Sequence, residues 1–232
     1  MTGDQNPFPR SLSLAVHEFR TPVTVVAGYL RMLLREQGGP LTDKQRKMLE
    51  EADRSCARLG ALVGEMSDLG KLESRELSLA RQEVDINQIV SEMPERVREG
   101  VDRGVRLDVR AAASPLIVVG DRVRLTTALT ALVHAALRER GDPGVVVAEC
   151  CMIKDERKWG IVAIGDDSLL SPLRDSRRTP PAFDEWRGGL GLALPVAKRI
   201  IEAHGGALWS LPGAQSRSAS ALRLPLREQE TP

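Results

Sequence analysis

Residues 17–22, HEFRTP, place an imidazole, a carboxylate, a guanidinium, a hydroxyl and a proline on one short stretch of an apolar-striped segment. His17 stands next to Glu18. A neighbouring carboxylate holds one ring nitrogen as N–H and leaves the other as a lone pair. Such an imidazole is a nucleophile near neutral pH. Pro22 has no N–H to donate to the carbonyl of Glu18, and its ring crowds that carbonyl, so the spacing predicts a helix bend just after His17. The plainer alternative is a solvated histidine on a kinked helix. A second set of candidates lies far along the chain. Gly188, Gly189 and Gly191 open an apolar helical pattern, and a helix N-terminus suits an anion. Glycines also simply start helices, so this motif alone is weak.

The elements that must carry these residues fall into two halves. In residues 10–74, Leu12, Val16, Phe19, Val23, Val26, Leu30 and Leu33 alternate spacings of four and three, a heptad seam. His17 follows a seam residue, a turn of about 100° on a helix, so it is expected beside the stripe, facing solvent or a groove. EQGGP at 36–40 ends this helix, and Thr42 with Gln45 offers a capping box for the next. The second helix carries Leu49, Ala52, Cys56, Leu59, Val63 and Met66, widened by Leu62, Leu69 and Leu72. Two such helices form an antiparallel hairpin. A lone hairpin buries these stripes poorly, so a homodimer closing a four-helix bundle is expected.

Residues 75–232 change period. A helix is expected over 84–100 after a short strand, strands at VRLDVR and LIVVG, and a helix over 121–140. Apolar strands follow at GVVVAECCM and WGIVAIG, then a helix over 189–206 and closing strands at GALWSL and SALRLPL. Residues 166–189 read as a polar, proline-rich connection, either a lid or a disordered loop. The fold class is thus α+β multidomain: an N-terminal tail at 1–9, a helical hairpin at 10–74, and an α/β sandwich at 75–232.

Composition narrows the function. Thirty-three basic residues against 32 acidic ones leave a formal charge of +1, and aromatic residues make up 3% of the chain. Neither a nucleic-acid surface nor a stacking platform is expected. No apolar run approaches the roughly 20 residues of a spanning helix, and the first residues lack a signal-peptide pattern. Cys56, Cys150 and Cys151 do not read as a disulfide framework or a metal site. The reducing cytoplasm is the expected compartment.

HEFRTP resembles the H-box of two-component sensor histidine kinases. The resemblance runs through the hairpin to LGKLES at 69–74, and the second half is similar to that family's Bergerat-type ATP-binding domain. It implies that His17 is the phospho-acceptor, Glu18 its base partner, and Thr21 the residue that orients a water for phosphatase action. It also implies a homodimer and a response-regulator receiver domain as partner. The implied nucleotide site is eroded. Ala131 and Ala135 stand where the family has asparagines, and alanine supplies no oxygen to magnesium. His134 is beside the metal position but is expected to point off the relevant face. Glu139, one turn after Ala135, is the acidic side chain to consider for a metal. Asp166 follows the expected strand without the glycines of the family's next box, so it reads either as an acceptor for an adenine amine or as a turn aspartate. The glycines at 188, 189 and 191 are the box that is kept. His204 with Gly205 reads as a helix end, with the imidazole favouring the helix dipole, and Lys198 and Arg199 as a solvated face.

Three readings follow. In the first, His17 carries a phosphoryl group and exchanges it with a response-regulator aspartate, with weak or absent ATP use by the chain itself. In the second, the chain is an ATP-dependent kinase with an atypical magnesium site. In the third, it is a pseudokinase scaffold that never carries phosphate. ATP and magnesium are cofactors only in the second.

Overall fold

The computed structural model describes residues 8–73, 78–97, 101–185, 191–211 and 219–227. The chain divides into two compact units, Met1–Leu77 and Ser78–Pro232.

The first unit is the hairpin of α1 (Phe8–Leu34) and α2 (Asp43–Glu73). Pro22 does not end α1, which continues through it for 27 residues. The turn between the helices puts Glu36 at φ 58° and Gly39 at φ 112°, left-handed values that let the chain reverse. The capping box forms: Thr42 N–H donates to Gln45 Oε1 at 2.9 Å, and Gln45 N–H to Thr42 Oγ1 at 3.3 Å. Val16, Cys56 and Val63 are buried between the helices. Gly70 lies against Leu12, and Gly60 against Val23, which fixes the antiparallel pairing. The seam is only half used. Phe19 and Val26 remain 53% and 50% exposed.

The second unit holds a five-stranded sheet in the order β2-β4-β5-β7-β6, and a separate antiparallel pair of β1 and β3. The strands are β1 (Gln82–Asp85), β2 (Val105–Arg110), β3 (Ile117–Gly120), β4 (Gly144–Lys154), β5 (Lys158–Gly165), β6 (Ala207–Trp209) and β7 (Ser220–Pro225). β2 runs parallel to β4, and every other pairing is antiparallel. The helix expected over 84–100 is two short ones, α3 (Ile86–Ser91) and α4 (Met93–Arg96). Pro94 accounts for the break, because it fits the first turn of a new helix but not the interior of an old one. α5 (Arg122–Glu139) is capped by Asp121, whose carboxylate accepts from Arg124 N–H at 3.1 Å.

Residues expected as a connection contain α6 (Asp167–Asp175). Cross-strand register puts Val147, Ala163, Ala221 and Trp209 on one face of the sheet. Leu170 and Leu173 of α6 pack into that cluster, each contributing on the order of 1.5–3 kcal/mol by burial. The Trp209 indole N–H donates to Leu173 O at 3.0 Å, and Arg174 pairs with Glu149 of β4. β5 is buried from Gly160 to Gly165, so both faces of the sheet are covered. The last helix, α7 (Ala193–Ala203), packs beside α5. It starts four residues later than expected and ends at His204.

Candidate functional site

On α1 the register that buries Val16 turns the next residue outward. His17 and Glu18 are 78% and 74% exposed, with Nδ1 3.7 Å from Oε1. That separation is an ion-pair distance, longer than a hydrogen bond. The imidazole is therefore open to a large reactant. Thr21 and Pro22 are exposed on the same stretch. The Thr24 hydroxyl donates back to Arg20 O at 2.8 Å, a back-bond of the kind that bends helices, just beyond the Glu18 carbonyl that Pro22 leaves without its usual donor. An exposed imidazole beside a carboxylate can accept a phosphoryl group without moving the helix.

In the second unit the middle turns of α5 and the start of α7 bound a cavity of about 470 Å³. Thr126, Thr127, Thr130, Ala131, His134 and Ala193 line it. His134 thus shares the cavity with Ala131, contrary to its expected direction. The threonine hydroxyls are turned toward the protein: Thr126 donates to Arg122 O at 2.8 Å, Thr127 to Val123 O at 3.0 Å, and Thr130 toward Met93 Sδ at 3.5 Å. Ala135 is fully buried and does not line the cavity. Among the described lining residues there is neither a carboxylate nor a side-chain amide, so the wall they form does not fit a hard cation that demands oxygen ligands. Glu139 is half-buried at the far end of α5.

Asp166 follows β5 and precedes α6, with no side-chain cap bond to that helix. Its carboxylate pairs with Arg140, the residue that ends α5. Asp166 thus sits at the strand-to-helix turn with its side chain engaged by a cation. Gly191 adopts φ 64° in the turn before α7, a left-handed position suited to glycine. Gly188 and Gly189 lie outside the described residues.

Two expectations about α7 change. Lys198 Nζ pairs with Glu185 at 3.3 Å with both side chains largely buried, so it ties α7 to the preceding segment; Arg199 bonds Glu202 at 3.0 Å on the outer face. His204 is structural, as expected, but for a different reason. It is buried, its Nδ1–H donates to Ile200 O at 2.7 Å, and its Nε2 accepts from Asp121 N–H at 2.9 Å. Burial holds it below the ordinary histidine range, opposed by the Ile200 carbonyl and Asp121, and reinforced by Arg81 and Arg124. The ring is neutral and bolts the end of α7 to the start of α5, the two helices that bound the cavity. No sequence signal links His204 to Asp121, which lie 83 residues apart.

Comparison with known proteins agrees with this geometry. Residues 10–75 match the His Kinase A (phospho-acceptor) domain. The chain is 24% identical over 221 residues to the sensor histidine kinase WalK of Bacillus subtilis, covering 92% of this chain and 36% of that protein. It is 29% identical over 201 residues to the signal transduction histidine-protein kinase BarA of Escherichia coli, covering 82% of this chain and 22% of that protein. The chain thus spans little more than a third of these curated relatives at most. Full-length ShkA, solved in complex with AMPPNP, superposes with a TM-score of 0.70 at 23% identity, over 94% of this chain and 46% of that one. The Acinetobacter baumannii histidine kinase AdeS gives a TM-score of 0.56 at 21% identity, over 91% of this chain and 98% of that one. No described helix is long and apolar enough to cross a membrane. Residues 10–75 thus carry a His Kinase A phospho-acceptor domain, and the chain is homologous to sensor histidine kinases along most of its length.

Proposed function

We propose that the chain is a phosphorelay protein in which His17 receives a phosphoryl group and exchanges it with an aspartate of a response-regulator receiver domain, with little or no use of ATP by its own second unit. The observation that carries this reading is a contrast between the two units. His17 and Glu18 stand open on α1, while the described residues lining the cavity between α5 and α7 offer no carboxylate or amide oxygen to magnesium and Asp166 is already paired. Phosphoryl transfer from ATP depends on metal-assisted charge neutralisation and positioning. Transfer between an exposed imidazole and a phosphoaspartate makes no such demand on the nucleotide unit. In that exchange the imidazole lone pair attacks phosphorus, the P–O bond to the aspartate breaks, and the carboxylate leaves with the electron pair. Glu18, 3.7 Å from Nδ1, is one side-chain rotation from accepting the Nδ1 proton and so presenting the other nitrogen's lone pair, and Thr21 orients a water for hydrolysis of the phosphoaspartate. The exposed Phe19, Val26 and Leu33 support a homodimer, since two hairpins joined along that face close a four-helix bundle. The reading places the chain in the cytoplasm, where receiver domains are found.

The test offers two phosphate sources to the purified chain. Radiolabelled ATP with magnesium should leave little acid-labile label. A phosphorylated receiver domain should load His17, and His17→Ala should abolish the loading. Strong ATP labelling that vanishes in His17→Ala would establish the ATP-dependent kinase instead, and absence of label from both sources would favour the scaffold.

A further inference from the structure

The register of the central sheet carries the α6 face beyond the packed cluster. One row on from Glu149, Ala163 and Ala221 it aligns Cys151, Ile161 and Arg223, and the row after that aligns Ile153, Trp159 and Pro225. α6 has ended by then, and the turn Ser176–Arg178 follows it, with Arg177 O accepting from Arg223 Nη1 at 3.2 Å. A cavity of about 760 Å³ opens here, lined by Asp155, Glu156, Arg157, Trp159, Arg178 and Arg223. None of these residues lines the cavity between α5 and α7. Two guanidiniums lie over one indole: Arg223 Cζ is 4.7 Å and Arg157 Cζ 5.2 Å from the Trp159 ring centre. Arg157 stands two residues before Trp159, and Arg223 pairs with Ile161, two residues after it, so the cations flank the ring along the strand. The counter-charges do not match them. Among the described residues Arg223 has no carboxylate partner, although it is half-buried on a strand inside the sheet, and its Nε is buried without any hydrogen-bond partner. Arg157 makes no ion pair among the same residues. Asp155 is shared between Arg177 at 3.7 Å and Arg178 at 4.0 Å. Buried charges are normally paired and buried donors normally met. Both deficits belong to Arg223, a residue that lines the cavity.

We propose that this cavity is an anion site, in which the guanidiniums of Arg157, Arg178 and Arg223 hold the phosphate or carboxylate groups of a small-molecule ligand. The relay reading is not needed for it. A guanidinium presents five N–H donors in its plane and pairs with either oxyanion through two parallel bonds. Lying over Trp159 restrains the heads of Arg157 and Arg223 and leaves those donors for the ligand. With guanidiniums on it the indole is no platform for a base, so the ligand is recognised by its charge. The cavity volume falls in the roughly 300–1,000 Å³ of small-molecule sites, and three cations suit a ligand with more than one anionic group. Asp155 steadies Arg178. Glu156 is the one lining carboxylate that makes no ion pair among the described residues, and its charge opposes the ligand.

The experiment is calorimetric titration of the full chain, in metal-free buffer, with pyrophosphate and separately with citrate. Saturable binding of pyrophosphate alone would make the ligand a phosphate compound, of citrate alone a polycarboxylate, and of both a polyanion read by charge only; each supports the site. Arg223→Gln, at a half-buried position, should weaken binding at least about tenfold, the value of one charge-assisted bond. Arg157→Gln and Arg178→Gln, at exposed positions, should weaken it about two- to fivefold each. Glu156→Gln should tighten it by a similar factor, since a repelling charge is gone, a change that damage to the fold would not produce. Arg106→Gln, which removes an exposed guanidinium on β2 outside the cavity, should leave binding unchanged. No saturable binding of either anion, unchanged affinity in the Arg157 and Arg178 variants, or equal weakening by Arg106→Gln would overturn the site. Should Arg223→Gln fail to fold, the variants at the exposed positions decide the matter. Labelling of His17 tests the relay reading separately, whatever these titrations show.

Discussion

His204→Ala tests the packing that holds the second unit together. The imidazole makes two bonds inside the protein, to Ile200 O at 2.7 Å and from Asp121 N–H at 2.9 Å. Each contributes about 1 kcal/mol net, and a buried donor left without its acceptor costs about 1–3 kcal/mol. The missing ring also leaves a hole beside Gly120, which packs closely under it. Allowing for overlap, His204→Ala should cost about 2–4 kcal/mol of the unit's stability. The pH dependence follows in sign. The folded-state pKa is lowered, chiefly by burial, so the unfolded chain binds the proton more readily. The contribution is fully present above the ordinary histidine value of about 6.5 and is lost as pH falls from there toward the lowered folded value. Denaturant midpoints of wild type and His204→Ala, measured across that window, should converge as pH drops. A variant that unfolds at the wild-type midpoint, or with the wild-type pH slope, would refute the reasoning.

Two more predictions bear on the same unit. Gly120→Ala would place a Cβ 2.6 Å from His204 Cδ2 and 2.9 Å from Leu125 Cδ1, and should lower the unfolding midpoint by the equivalent of about 1–3 kcal/mol; an unchanged midpoint would show that the bolt gives way freely. Burial pushes the Cys150 thiol up to about 12, while half-buried Cys151 is raised by burial and pulled back by Arg174. Since the thiolate is the reactive form, alkylation at mildly alkaline pH followed by peptide mass spectrometry should label Cys151 well before Cys150, and the reverse order would count against this placement.

What could be read ahead of the structure was local. The capping box is visible because Thr42 and Gln45 are three residues apart and need nothing else. The exposure of His17 follows from its place one residue after Val16. α6 escaped because Pro172 and a polar setting disguise a single turn in which Leu170 and Leu173 share a face. The direction of His134 was misjudged because the cavity lies between α5 and the start of α7, a packing that the α5 sequence alone does not reveal. His204 and Asp121 are 83 residues apart, and Arg140 and Asp166 are 26 apart. Contacts of that separation are made by tertiary packing, and no periodicity in one segment announces them.

The same distinction explains why the two halves read so differently. A phospho-acceptor needs one helix, one exposed imidazole and a neighbour one residue away, so six consecutive residues carry nearly all of it. A nucleotide site needs donors converging from α5, the end of β5 and the start of α7, and it can be lost at any of them independently. Here the metal end and the base end differ in kind. On the proposed reading, Ala135 stands at the metal end of α5, buried and without an oxygen to supply, while at the end of β5 the carboxylate of Asp166 is present but paired with Arg140. On that reading the two losses are independent: restoring a metal ligand on α5 would leave Asp166 paired, and freeing Asp166 would leave the metal end without its ligand.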